Sequence, residues 1–495
     1  MGSLSTPCHG QDVAEARPPN VLLLIADDQG YGDFGAYGGA ADASTPHLDR
    51  LAARGTRFTN AYVTAAICSP SRDGLLTGRY QQRWGSYGYG SAHLPADETT
   101  LAELLREQGY ATAMIGKAHY GSVDGATGVD APGFPLNHGF DTFFGRRGGT
   151  IDHVRHARGV ADTYAPDIAS QMGIGPFWED TTRVDQYGYT TNLFTERALD
   201  FIGQPREQPF FLMLSYNAVH LFIHQFTDVQ LARQGFEDVP ELAPGTESWE
   251  TYLRWYVRTV EPNTPQGRER YLTHLEKMDR SVGRVLGKLE RTGQARRTLI
   301  VFLSDNGGSP FNYSKNAPLS GNKYTVAEGG IRVPFVVSWP ARLPQGKVSD
   351  ELVSALDVFP TVAAAAGATL PPDRPYDGTS LLPYLTGEQA GIDRNTLYWT
   401  GFQPLEAEPP DPPPGSPRAF MLSRQGDRHG WAVRHGDYKL RFLGESRTYR
   451  LYDVADDPGE HRDLSDRQPE RVERLRRMWT TWHKKMQAAA QQEQK

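Results

Sequence analysis

Cysteine is nearly missing from this chain: there are two, Cys8 and Cys68, in 495 residues. Two cannot build a disulfide framework, so cysteine counting leaves the redox compartment open. Long apolar runs are missing too. No stretch approaches the roughly 20 apolar residues of a membrane-spanning helix. The first nineteen residues, MGSLSTPCHGQDVAEARPP, lack the apolar centre of a secretion signal and read as a disordered leader. There is no excess of basic charge, with 52 Lys and Arg against 59 Asp and Glu and a formal net charge of −7. That argues against nucleic acid as a partner, because neutralising phosphates favours a basic face. A small anion in a local basic pocket remains compatible with an acidic protein. No internal repeat is present.

What the chain does have is a set of short, continuous apolar runs: VLLLIA (21–26), ATAMI (111–115), PFFLMLS (209–215), TLIVFLS (298–304) and PFVVSW (334–339). Such runs suit strands buried on both faces of a parallel sheet. Helical patterns such as TTLAELLREQG and YLTHLEKMDRSVGRVLGKLERTG lie between them, and alternation of the two implies a layered α/β domain. From about residue 370 the composition turns Pro-rich, in LPPDRPYDG and then LEAEPPDPPPGSPR. Beyond come strand-like AVRHGDYKLRFL and RTYRLYDV and an amphipathic terminal helix. The expected organisation is a leader over 1–19, a catalytic domain over 20–374 and a smaller α+β subdomain over 375–495.

Polar residues follow the apolar runs closely. Asp27 and Asp28 come after the first, Lys117 and His119 after the second, His220 after the third, and Asp305 and Asn306 after the fourth. In open parallel sheets the ligand crevice lies at the carboxyl ends of the strands, so these groups are expected to converge. An Asp pair alone usually marks a turn or a helix start. Three carboxylates and an amide oxygen together form a hard-oxygen set suited to Ca²⁺, with Mg²⁺ as the alternative. Lys117, His119, His220 and Lys323 are each commonplace singly. Grouped beside a cation, they would suit a tetrahedral oxyanion such as sulfate or phosphate. On this reading Asp305→Ala removes metal and activity and leaves the fold largely intact.

Cys68 sits in a polar, stiff frame, CSPSRDGLLTGR, where a buried structural thiol would have apolar neighbours. The frame fits C-x-P-S-R-x-x-x-L-T-G-R, and the chain resembles the type I sulfatases of the alkaline-phosphatase-like superfamily. NVLLLIADDQGYGDFGAYGG, IGKAHYG, GNKYTVAEGGIRVPFVVSWP and LYDVADDPGEHRDLSD extend the resemblance over nearly the whole chain. One departure is NAVHLFIH, in which Val219 and Phe222 replace the prolines that often flank the family's histidine.

The resemblance implies a mostly parallel central sheet flanked by helices, with a smaller C-terminal α+β domain holding an antiparallel sheet and a terminal helix. It implies that a maturation enzyme oxidises Cys68 to formylglycine, whose hydrate attacks sulfur. Asp27, Asp28, Asp305, Asn306 and the modified residue 68 would hold the metal. Arg72 and Lys117 would hold formylglycine, His220 or Lys323 would protonate the leaving alcohol, and His119 would accept the proton that releases sulfate. A basic loop, RRGGTIDHVRHARG, is expected to read the substrate through Arg146, Arg147, His153 and His156. The favoured substrate is a sulfated carbohydrate, either a glycosaminoglycan or an algal polysaccharide. The alternatives are a phosphonate or phosphate monoester hydrolase and a non-catalytic sugar-binding relative. By the same resemblance the protein acts in the periplasm or is secreted.

Overall fold

The computed structural model describes residues 17–88, 93–120, 128–260, 263–401 and 429–493. Most of the leader and of the Pro-rich stretch after residue 401 lie outside the described residues. The apolar runs form the middle of a ten-stranded mixed sheet. In chain order its strands are β1 (Asn20–Ala26), β2 (Thr56–Tyr62), β3 (Ala111–Lys117), β4 (Thr142–Arg146), β5 (Phe177–Glu179), β6 (Thr182–Val184), β7 (Phe210–Ser215), β8 (Thr298–Ser304), β9 (Phe335–Ser338) and β10 (Lys347–Ser354). Their spatial order is β10-β2-β9-β8-β1-β7-β3-β4-β5-β6. The central five, β8-β1-β7-β3-β4, run parallel. Antiparallel pairing enters on both flanks, through β9 on one side and β5 on the other.

Burial on both faces explains why β1 reads as unbroken hydrophobicity. Val21, Leu23 and Ile25 join one core cluster, while Leu22, Leu24 and Ala26 join the other. This is the two-residue alternation of a strand with helices on either side. One face is covered by the helices Cys68–Thr77, Leu101–Glu107 and Val358–Ala366. The other is covered by Pro46–Ala53, Thr190–Gly203 and the long Gly267–Arg291, whose Tyr271, Leu275, Met278, Val282, Val285 and Leu289 repeat at helical spacing. TTLAE starts its helix with a capping box: Glu103 N donates to Thr100 Oγ1 at 3.1 Å, and Thr100 N to Glu103 Oε2 at 2.7 Å.

The C-terminal part is a four-stranded antiparallel sheet of β11 (Thr396–Thr400), β12 (Trp431–His435), β13 (Tyr438–Leu443) and β14 (Thr448–Asp453). The helix Pro469–Glu493 packs Leu475, Trp479, Trp482 and Met486 against Trp431, Val433, Leu440 and Leu451. The two parts share a core, since Leu397, Trp399 and Ala432 belong to the cluster under the large sheet. Trp399 Nε1 donates to Val63 O at 2.7 Å and Trp479 Nε1 to Trp399 O at 2.9 Å. Among the described residues no helix is long and apolar enough to cross a membrane.

Candidate active site

The carboxyl ends of β1, β3, β7 and β8 bring their following residues together, and the helix Cys68–Thr77 starts at the same place. Asp27, Asp28, Cys68, Arg72, Lys117, Asn306 and Lys323 are all fully buried. Cys68 Sγ lies 3.7 Å from Asp27 Oδ1, 3.9 Å from Asp28 Oδ1 and 3.2 Å from Lys323 Nζ. Lys117 Nζ donates to Asp27 Oδ2 at 2.6 Å and Lys323 Nζ to Asp28 Oδ2 at 2.9 Å. Arg72 Nε donates to Asp305 Oδ2 at 2.8 Å, and its Nη1 reaches Lys117 O and Ser215 Oγ at 2.9 and 2.6 Å. Ser215 escaped the sequence reading because it is the last residue of an apolar strand.

The donor set fits a hard divalent cation. Burial pushes the Asp27 carboxyl up to about 7; Lys117 opposes this, while Asp305 and Asp28 add to it. Three crowded carboxylates are relieved by a cation among them. Asn306 supplies the telling detail: its Nδ2 donates to Asp28 Oδ1 at 2.7 Å, yet its Oδ1 is buried without a hydrogen-bond partner. An amide oxygen left so at the edge of a carboxylate cluster fits the hard-oxygen set that a divalent cation takes. Ligand atoms of Asp27, Asp28, Cys68 and His220 also lie within 4.8 Å of one another.

The frame around Cys68 has work in the fold as well as in chemistry. Every residue of its helix is buried, which is why the polar ones need assigned partners. Gly78 ends the helix at φ 68°, where a Cβ would come within 2.8 Å of Phe359. Arg79 pairs with Glu98. Burial pushes the Cys68 thiol up to about 12, against the pull of Lys117 and Lys323. Burial thus favours the protonated form of an unmodified Cys68 thiol.

His119 and His220 are both held neutral, their pKa values driven well below the usual imidazole range by burial and then by Lys117. His220 Nδ1 lies 3.0 Å from Leu221 O and Nε2 3.7 Å from Asp28 Oδ2. The first contact assigns the proton to Nδ1 and turns Nε2 toward the site. Where the prolines are replaced, the peptide bonds before Val219 and Phe222 are cis, and the His220 ring reaches the carboxylates. Asn312, which the sequence reading missed, holds this segment by donating to Val219 O at 2.7 Å. The His119 backbone N donates to Arg147 O at 3.0 Å, and a Cβ on Gly149 would come within 2.6 Å of the His119 ring. Gly149 thus makes room for that ring.

The basic loop is only partly what it promised to be. Arg146 and Arg147 are both half-buried: Arg146 Nη1 donates to Gly175 O at 2.7 Å, and Arg147 Nη1 to Gly128 O at 3.4 Å. His153 and His156 are both buried, each with a partner inside the fold. His153 Nε2 is 3.3 Å from His220 O, and its ring stacks on Tyr189 at 5.6 Å. His156 Nε2 is 2.8 Å from Thr190 Oγ1, with its ring against Phe177 at 4.4 Å. Histidines beside arginines look solvent-facing in a sequence; here the segment passes under the surface and supports the backbone of His220.

These rings have a measurable consequence. Burial lowers His138, His153 and His156 to about 4. Between about 6.5 and 4 the unfolded chain binds protons that the folded chain refuses. The stability these three rings contribute is therefore complete above about pH 6.5 and lost as pH falls through that window, against the opposite pull of buried carboxyls such as Asp27. Relative to wild type, His156→Gln should gain urea midpoint progressively between pH 7 and pH 4.5; a difference that does not change with pH contradicts the burial argument.

Three cations, each paired with a carboxylate, gathered with an amide oxygen at the carboxyl edge of a parallel sheet suit the hydrolysis of tetrahedral oxyanion esters. Comparison with known proteins narrows the class. The sulfatase family model matches residues 19–368, and the chain belongs to the sulfatase family, its type I branch; it is a sulfatase. Mouse steryl-sulfatase is 34% identical over 455 residues, covering 77% of this chain and 67% of its own. Dog N-acetylgalactosamine-6-sulfatase is 34% identical over 406 residues, covering 78% and 69%. Among solved structures, Ps i-CgsB in complex with k-i-k-neocarrahexaose superposes with a TM-score of 0.72 at 28% identity, over 94% of this chain and 93% of that one.

Proposed function

We propose that the protein removes sulfate from a sulfated carbohydrate, using a formylglycine made from Cys68 and a divalent cation, Ca²⁺ in preference to Mg²⁺. The observation that carries the chemistry is Cys68 itself, a fully buried thiol with its Sγ 3.7, 3.9 and 3.2 Å from Asp27, Asp28 and Lys323. Asp27, Asp28, Asp305 and Asn306 Oδ1 would hold the cation, which when bound supplies positive charge to the sulfate and acidifies the attacking hydroxyl. Formylglycine supplies, as its hydrate, one hydroxyl to attack sulfur and a second whose deprotonation frees the product.

The protein's own groups do the rest. Arg72 fixes the start of the nucleophile helix to β7 and β8 through Ser215 and Asp305. Lys117 and Lys323 bring two ammonium groups to the transferring sulfate, charge that is most effective in a buried site. The leaving alkoxide takes its proton from Lys323 Nζ, or from His220 Nε2 once that nitrogen has itself taken up a proton, since at rest the His220 proton sits on Nδ1. The neutral His119 ring is ready to accept a proton from the second hydroxyl.

For the substrate class, support comes from the likeness to a structure bound to neocarrahexaose and to N-acetylgalactosamine-6-sulfatases. Such polymers are met outside the cytoplasm, so a periplasmic or secreted protein and a maturation enzyme as partner go with this reading. Matured protein should release sulfate from sulfated galactan or glycosaminoglycan oligosaccharides with kcat/KM at least about 100-fold above steryl sulfate, a gap of roughly 2.7 kcal/mol in transition-state binding. Faster turnover of steryl sulfate would overturn the carbohydrate reading, and faster turnover of phosphate monoesters the sulfatase chemistry. Arg147→Ala should weaken oligosaccharide turnover several-fold in a salt-sensitive way and leave a small aryl sulfate nearly unaffected. Equal losses on the two substrates would assign Arg147 to the fold.

A further inference from the structure

The C-terminal sheet reaches into the catalytic layer through one buried ionic knot. Lys439, on β13, has its Nζ 2.8 Å from Glu328 Oε1 and 3.2 Å from Glu460 Oε1, with all three side chains at most 1% exposed. Glu460 lies beyond β14, at φ 53°. Its Oε2 accepts from the Glu328 backbone N at 3.0 Å, from Ser320 Oγ, and from Arg441 Nη1 at 3.2 Å. Glu328 is balanced in turn by Arg332 at 3.2 Å and by Tyr62 Oη at 2.6 Å.

Ser320 and Glu328 are the two feet of one loop. Gly329 N donates to Ser320 O at 2.7 Å, drawing the feet together, and Asn322 O accepts from Thr325 N at 3.0 Å across the tip. The loop carries Lys323, whose backbone N donates to Gly308 O at 3.0 Å and whose Nζ stands 3.2 Å from Cys68 Sγ. A single carboxylate oxygen from the C-terminal part thus grips both feet of the loop that delivers an ammonium group to the nucleophile. A buried carboxylate so placed is costly unless paired, and Lys439 and Arg441 pair it.

We propose that Glu460 is a positioning residue for catalysis: held by Lys439 and Arg441, it clamps Ser320 and the Glu328 backbone and so sets the reach of Lys323 to residue 68 and Asp28. The C-terminal sheet is then part of the catalytic apparatus as well as a cover for the core. The inference rests on the reading that Lys323 acts on the reacting groups. A displacement of about 1 Å at such a group can cost about 100-fold in rate.

The test uses full-length matured protein, with the formylglycine fraction measured for each variant, and two aryl sulfates with a good and a poor leaving group. Glu460→Ala should lower kcat by about 10- to 100-fold, with KM changed less than about threefold and a larger loss on the poor leaving group. Lys439 keeps Glu328 as its partner in this variant, while Arg441, with its side chain 12% exposed, loses its carboxylate, which is why stability is measured beside kcat. Ser320→Ala, which removes one hydroxyl, should act in the same direction to a smaller extent, and Glu460→Gln should fall between wild type and Glu460→Ala. In a Lys323→Ala background, Glu460→Ala should cost less than about threefold more. Full additivity of the two losses, or a loss confined to melting temperature with kcat per folded molecule unchanged, would overturn the clamp alone. Unchanged turnover in Lys323→Ala would overturn the reading of Lys323 and the clamp with it.

Discussion

Cys68→Ala is expected to lose turnover by about 10⁴-fold or more, the scale seen when an enzyme loses its covalent nucleophile. The substitution removes the side chain on which the nucleophilic oxygens are installed, and nothing else among Asp27, Asp28, Lys117 and Lys323 can replace them. Binding should survive, because the two lysines and Arg72 stay in place; affinity for a sulfated oligosaccharide should change less than about threefold. Cys68→Ser sharpens the point. A serine offers one hydroxyl and no second one to drive release, so it should liberate at most one equivalent of alcohol per enzyme and stop. Sustained multiple turnover by either variant would contradict formylglycine chemistry, and loss of binding with turnover would show that Cys68 only supports the pocket.

Asp305 should give the second-largest effect, and here the structure changes the expectation. The sequence alone suggests that Asp305→Ala spares the fold. The Asp305 carboxylate, however, is also the buried counter-ion of Arg72, with both side chains 0% exposed and 2.8 Å apart. Removing one partner of such a pair strands a buried charge, at about 3–5 kcal/mol. Asp305→Ala should therefore lose metal, activity and a large part of its stability together. Asp305→Asn keeps the shape and an acceptor for Arg72 while giving up the charge the cation needs. It should remain folded, bind metal well below one equivalent and lose at least about 100-fold in activity. Full activity with stoichiometric metal in the Asn variant would remove Asp305 from the ligand set; a stable, folded Ala variant would show that the Arg72 pair matters less than its burial implies.

Much of this site was legible because its residues stand directly after strands that are apolar throughout. β1 and β8 are buried on both faces, so their sequences announce them, and Asp27, Asp28, Asp305 and Asn306 follow within two residues. The parallel middle of the sheet was legible for the same reason. Strand direction was not: PFVVSW has the same composition as its neighbours, yet β9 runs antiparallel to both. The loop was legible as basic, but charge and aromaticity do not show which way a side chain turns, and His153 and His156 turn inward. Glu460 was invisible as a functional residue. It stands 140 residues from Ser320, and no local pattern signals that its carboxylate will meet another loop's feet.

The most direct test of the account is the mass of the peptide spanning residue 68, measured on samples expressed with graded amounts of a maturation enzyme and paired with sulfate release from each sample. The account predicts an aldehyde or its hydrate in place of the thiol, and activity proportional to the converted fraction, extrapolating to zero when conversion is zero. Full sulfate release from protein whose residue 68 is entirely unmodified cysteine would contradict it.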